Sequence, residues 1–274
     1  MISLIKTDLR RILKDRLFMV VCIIGALLAL VMPLLYLLIF GDVGIDEVGI
    51  LGLYCSAKSL FFNSFIPSSN FGLIFPVLIS IIVCKDFSQG TVRNKIICGK
   101  SRLEIFTSMF LANAIVICLV MLGHALITLG FSMLLFDYQV EPFTTGDLLY
   151  FFVSIGFEIL VYILIASIVS FLCVFMKNVG LTIVIYIAIN MIMSIVGSVL
   201  MVSIEVMRFE GNNDTLVNIL QFINDINIFN ATSLIGSGSS YTKNEVLKLI
   251  LPSLFGTSAL YGLGLLAFRR KDIK

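Results

Sequence analysis

Glu158 and His124 are the residues whose type and setting most invite chemistry: each stands inside a long apolar run. An ionisable group inside a membrane span is a functional candidate by default, because the bilayer makes it costly. Helix rise puts Glu158 roughly mid-bilayer, about ten residues into its run. A Glu158–His124 pair could bind a proton or a cationic substrate group. The plainer reading makes Glu158 a protonated or hydrogen-bonded packing residue, and separates it in depth from His124 by about two turns. Asn113 and Asn190 more often join helices by hydrogen bonds than bind ligands.

Other catalytic signals are thin. HExxH, GxSxG and paired intramembrane aspartates are absent, and a single histidine limits the options for an intramembrane enzyme. Gly99-Lys100-Ser101 matches the end of a phosphate-binding loop, but the position that needs the first glycine is Asn94, and no strand precedes it. The chain is not expected to bind ATP this way. The cysteines are Cys22, Cys55, Cys84, Cys98, Cys118 and Cys173, with no CxxC pair, so no metal site is expected and they read as small apolar packing residues.

The elements that position these residues follow from composition. Hydrophobic residues make up 59 % of 274 and charged residues only 13 %, about half the charge of a soluble domain. No soluble core could hide so much apolar side chain, so the bilayer must act as solvent. A spanning helix takes roughly 20 mostly apolar residues. The runs are continuous and not alternating, which favours helices over a membrane barrel. Six spans are expected, at about 17–40, 67–84, 105–136, 148–176, 179–203 and 247–268. The first is too long for a signal h-region and no small-residue cleavage site follows it. Small residues at spacing four, Ala166/Ser170 and Ser194/Ser198, permit close helix packing.

Charge distribution gives an orientation. Basic residues precede the first span (Lys6, Arg10, Arg11, Lys14, Arg16) and surround the segment after the second (Lys85, Arg93, Lys95, Lys100, Arg102). Lys177 follows the fourth span, and Arg269, Arg270, Lys271 and Lys274 follow the sixth. Lys58, Arg208, Lys243 and Lys248 fall on the other side, so 15 of 19 basic residues share one side. Short loops rich in Lys and Arg stay cytoplasmic, which puts both termini inside. The chain reads as one transmembrane domain of residues 1–274, multi-pass in a plasma membrane, with no nucleic-acid partner.

Three flanking segments stand out. Residues 1–16 make an amphipathic helix, with Ile2, Ile5, Leu9, Ile12 and Leu13 on one face and Lys6, Arg10 and Lys14 elsewhere. It suits a membrane surface or a cytoplasmic partner. Residues 41–66 and 137–147 read as outside loops. Residues 204–246 read as one or two short helices at or dipping into the outer interface, then a turn at 236–240. No strong internal repeat is present.

The cytoplasmic stretch 85–104, KDFSQGTVRNKIICGKSRLE, is the most informative. It reads as a short helix with Val92, Ile96 and Ile97 as its apolar edge and Arg93 and Lys95 beside it. Gly99 is the expected stop, since a left-handed C-terminal cap favours glycine. Ser101 and Glu104 make a capping box that starts the next helix. A short basic helix held between two spans could transmit a push from a cytoplasmic partner. It could also be an ordinary basic loop that only fixes topology.

This segment resembles the loop of ABC-2-type transporter permeases, in which an acidic residue after the second span is followed by Gly-Thr-x-Arg/Lys and then Ser-Arg before the third. Here those residues are Asp86, Gly90, Thr91, Arg93, Ser101 and Arg102. The tail FRRKDIK is similar to that family's C-terminus. The specific motifs cover about 20 residues and the tail. Relatives often carry Glu where Asp86 stands and Pro near Gly99–Lys100. The chain is similar to permeases of Gram-positive peptide exporters: lantibiotic and bacitracin self-protection systems and exporters of amphipathic peptide toxins.

The resemblance implies an all-α bundle of six spans in a bacterial plasma membrane, with N- and C-termini inside. It implies a dimer, a homodimer in the simplest case, that contacts two copies of a separate ATPase holding ATP and Mg. It implies an amphipathic peptide as cargo. The 86–99 helix, with Asp86, Gly90, Thr91, Arg93, Lys95, Ser101 and Arg102, would couple to the ATPase beside the N-terminal helix carrying Lys6, Arg10, Arg11 and Lys14. Residues 204–246 would form the extracellular gate. The chain itself would hold no cofactor and catalyse nothing. The competing reading is a proton- or ion-coupled carrier or channel built on Glu158 and His124, for which midplane binding groups are sparse.

Overall fold

A computed structural model describes residues 1–40, 56–65, 74–136, 145–176, 178–209, 214–227 and 243–270. Ten helices follow one another in these residues: α1 (Ile2–Leu13), α2 (Arg16–Phe40), α3 (Ala57–Phe65), α4 (Ile74–Ser88), α5 (Thr91–Ile97), α6 (Arg102–Leu135), α7 (Thr145–Met176), α8 (Val179–Phe209), α9 (Asp214–Ile226) and α10 (Lys243–Arg270). No strand occurs among the described residues.

Five helices are long and apolar enough to cross a membrane: α2, α6, α7, α8 and α10. They match the first, third, fourth, fifth and sixth expected spans, and the chain is an all-α, multi-pass membrane protein. The second expected span, 67–84, is described only from Ile74 onward. There α4 runs 15 residues, about 22 Å, and carries Lys85 and Asp86 in its last turn; residues 67–73 lie outside the described residues.

α6 and α7 form the interior. In each, 61 % of the apolar window is buried, against 17 % for α2 and α10 and 11 % for α8. Each of these outer helices therefore turns most of its surface away from this chain, toward lipid or another chain. Tyr162, Tyr186, Phe61, Phe62 and Phe268 are the largest fully buried side chains. Phe106 packs against Tyr261 and Phe268 of α10. Gly264 lets α10 approach there, since a Cβ on it would stand 2.9 Å from Phe106 Cζ.

The region expected as an outside loop at 41–66 contains α3, which is not a loop. Leu60, Phe61, Phe62 and Ser64 are buried. Phe61 stacks on Phe151 at 4.8 Å, and Phe62 meets Tyr150 edge-on at 4.7 Å. Aromatic density in SLFFNSF is what draws the segment into the core: each ring buries a large apolar area and gains further from ring contacts. Residues 41–55, most of 137–147, and 210–213 and 228–242 of the expected gate lie outside the described residues, as do Cys55, Lys177 and 271–274. The remaining five cysteines form no disulfide among the described residues.

Candidate functional site

The corner α4–α5–α6 is built by backbone punctuation. Gly90 (φ 68°) precedes α5 and Gly99 (φ 79°) follows it, both left-handed. An L side chain pays roughly 1–2 kcal/mol for that conformation, so the glycines let the chain reverse twice within ten residues. The capping box expected at Ser101 and Glu104 forms: the Ser101 hydroxyl accepts from the Glu104 N–H, and the Glu104 carboxylate accepts from the Ser101 N–H. α5 is therefore a seven-residue helix held at both ends between α4 and α6.

α1 packs against this corner through charged residues. Lys95 Nζ donates to Asp8 Oδ1 at 2.6 Å, and Ser108 Oγ donates to Asp8 Oδ2 at 2.5 Å. Arg11 Nη2 donates to Asp86 Oδ2 at 2.5 Å, and Nη1 contacts the other oxygen in a bidentate pair. Lys85 Nζ donates to Asp15 Oδ2 at 2.6 Å. Asp8 is 2 % exposed and Asp86 3 %. Asn113 lines the same small cleft as Asp8, Arg11 and Asp86. Burial pushes the Asp86 carboxyl above its ordinary range, with the Arg11 guanidinium opposing. The Lys85 hydrogen bond holds Asp15 below its ordinary range.

The residues marked by sequence therefore divide. Asp86, Lys95 and Arg11 point inward and tie helices together. Arg102 reaches the last carbonyls of α10, at Phe268 and Arg269, where a helix C-terminus leaves acceptors unfilled. Gly90 and Ser101 are helix boundaries, and Thr91 is half-buried. Arg93, Lys6, Arg10 and Lys14 remain exposed. Apolar side chains stand among them: Ile2 is 82 % exposed, Ile97 72 % and Leu103 42 %. Met1 lies 3.8 Å from the Glu104 carboxylate, which brings the start of α1 beside Leu103. The result is a surface of scattered cations and isolated apolar points on a braced frame.

Two expectations about α1 and α5 change. Ile2 and Leu13 face outward, and Asp8 and Ile12 are buried. The inward face is turned by about a quarter of the helix from the apolar face read in the sequence. On α5, Val92 is buried and Ile96 half-buried, but Ile97 is outside. Asp8, Asp15 and Ser108 were missed. The available signal was Asp8 itself, an acid one helical turn from both Leu4 and Ile12.

The two intramembrane candidates lie on different contacts. His124 Nδ1 sits 3.0 Å from the Gly25 carbonyl of α2, beside a cavity of about 250 Å³ between α2 and α6. Glu158 is fully buried in α7, and neither carboxyl oxygen has a hydrogen-bond partner among the described residues. No hydrogen bond joins the two residues. Of the small-residue pairs, Ala166/Ser170 is buried and Ser194/Ser198 faces outward. Among the described residues no three metal-ligating side chains gather.

No family model matches the chain, and no curated protein matches it.

Proposed function

We propose that this chain is the membrane subunit of an ATP-driven exporter of the ABC-2 type. It would span a bacterial plasma membrane six times with both ends inside, and move hydrophobic or amphipathic peptides. It would act as a homodimer. ATP and Mg belong to a separate ATPase, present in two copies, and none of the hydrolytic chemistry is in this chain.

One observation carries the reading. A seven-residue basic helix, α5, is fixed between two membrane helices and ion-paired to α1 through Lys95 and Asp8, while Arg93 and Ile97 face outward. A push on α5 would pass to the helices joined to it. Its two glycine turns connect it directly to α4 and α6, and the Asp8, Asp86 and Asp15 pairs carry displacement into α1. Packed elements move as bodies, so closure of an ATPase dimer against this surface would shift α4 and α6 together.

The test uses the residues that face out: Arg93→Glu with Ile97→Asp. Lys95 is unsuitable, because Lys95→Glu would set a second carboxylate against buried Asp8 and unfold the brace. The outward pair should abolish ATPase binding and coupled hydrolysis, with stability changed by no more than about 0.5 kcal/mol per site. If binding and coupling both survive, the contact surface is misplaced.

A second reading rests on Glu158, buried without a hydrogen-bond partner among the described residues. Uptake driven by a pH gradient and abolished by Glu158→Gln would favour a proton-coupled carrier.

A further inference from the structure

At the end of the bundle opposite the basic corner, α7, α8, α9 and α10 enclose a groove of about 740 Å³. Leu164, Ile168, Met193, Phe222, Leu251 and Phe255 form its apolar walls. Among the lining residues only Asp225 and Lys248 are charged, and they pair at 2.8 Å. Phe222 is 66 % exposed, Leu251 61 % and Phe255 79 %, so the groove opens sideways into the bilayer.

α10 serves as a ruler. From Lys248 to Arg269 the helix rises about 32 Å, close to the thickness of the hydrocarbon layer. With Arg269 at one headgroup level, the Asp225–Lys248 pair stands at the other. The groove's deepest lining residue, Leu260, lies about 18 Å below that pair, past mid-bilayer.

Shape and the charged mouth point to the occupant. An open apolar groove about 18 Å deep takes an extended hydrocarbon chain, and the Asp225–Lys248 pair stands where the headgroup of that chain would lie. Two hydrogen bonds tie α9 to α8. Asn227 Nδ2 pins the end of α9 to the Met193 carbonyl at 2.7 Å, and Arg208 holds Gln221 at 2.7 Å. Gly256 closes the floor, since a Cβ there would stand 2.8 Å from Leu164 Cδ1.

The mouth offers one cation and one anion side by side. Pro252 has no N–H for the Lys248 carbonyl one turn before it, which leaves a further acceptor at the same level. A phosphate beside Lys248 and an ammonium beside Asp225 and this carbonyl would give alternating charges. We infer that the groove binds one chain of a zwitterionic phospholipid from the leaflet opposite the basic corner, its headgroup seated on Asp225 and Lys248. The site is independent of any ATPase partner.

Full-length protein in vesicles of phosphatidylethanolamine and phosphatidylglycerol, with a trace of either lipid carrying a photoreactive tail, tests this. Adducts with phosphatidylethanolamine should gather on Phe222, Leu251 and Phe255 at about five times the level on Ile195 and Val199 of α8, which are also exposed. Leu251→Trp, which fills the groove, should cut that labelling about fivefold, and Asp225→Asn should reduce the preference for phosphatidylethanolamine over phosphatidylglycerol by a similar factor. Phe255→Trp substitutes if Leu251→Trp fails to fold. Equal labelling of all lipid-facing sites, labelling insensitive to both fillings, or a Phe255→Cys disulfide between two copies would each overturn the assignment.

Discussion

Asp8→Asn should free α1 from the bundle. Asp8 is 2 % exposed and accepts from Lys95 at 2.6 Å and Ser108 at 2.5 Å; the Lys95 side chain is itself only 12 % exposed. Removing one partner of a buried pair costs about 3–5 kcal/mol, because the other charge stays behind unpaired. Asparagine keeps an acceptor for Ser108, which puts the cost near the low end, about 3 kcal/mol. That corresponds to roughly 150-fold in the opening equilibrium of α1. Amide hydrogen exchange of residues 4–13 in detergent micelles reads this directly. The double variant Asp8→Asn/Lys95→Met removes both charges and should recover about 2 kcal/mol of the loss, as a coupled pair requires. Lys6→Met, at an exposed site, should change protection by less than about 0.5 kcal/mol. Protection in Asp8→Asn within threefold of the parent, or a double variant no better than the single, would refute the brace.

Arg11→Ala should make stability fall more steeply with pH. Burial raises the folded pKa of Asp86 above its ordinary 3.8 and Arg11 opposes the rise. A group whose folded pKa is raised binds its proton more tightly when folded, so stability drops as pH climbs from 3.8 toward the folded value. Losing Arg11 raises that value further. The deficit against the parent should be small at pH 4 and reach about 2 kcal/mol at pH 7; unfolding temperatures that differ by a constant amount across this range would contradict it. Gly264→Ala should lower stability by about 1–3 kcal/mol by forcing Phe106 aside. Gly262→Ala meets nothing within 4 Å and should be neutral or stabilising by up to about 1 kcal/mol. Equal thermal shifts in the two variants would show that α10 does not approach α6 as described.

Legibility in the sequence followed the strength of the local signal. Long apolar runs specify α2, α6, α7, α8 and α10 because bilayer thickness and helix rise leave no other solution. The Gly99 stop and the Ser101–Glu104 box were readable because capping is local chemistry. What failed was long-range. Nothing near Asp8 in the chain says that Lys95, 87 residues away, turns to meet it. Lys95 and Arg93 look equivalent on paper, yet only Arg93 faces out. The inward face of α1 differs from its apolar face because the ion pairs of Asp8, Arg11 and Asp15 pull the helix round, so that Ile12 and Leu9 stay packed while Ile2 and Leu13 turn out. The segment holding α3 reads as loop because it begins polar and Pro67 and Gly72 break it before the second span, although its aromatics bury it.

The most direct test of the proposed role is photocrosslinking from defined positions in the intact membrane. A photoreactive residue at Arg93 or Ile97 should give an adduct whose second chain carries a nucleotide-binding sequence, and the same group at outward-facing Ser198 should give none. Absence of that adduct from both positions, or transport by the purified chain in vesicles without ATP, would contradict the account.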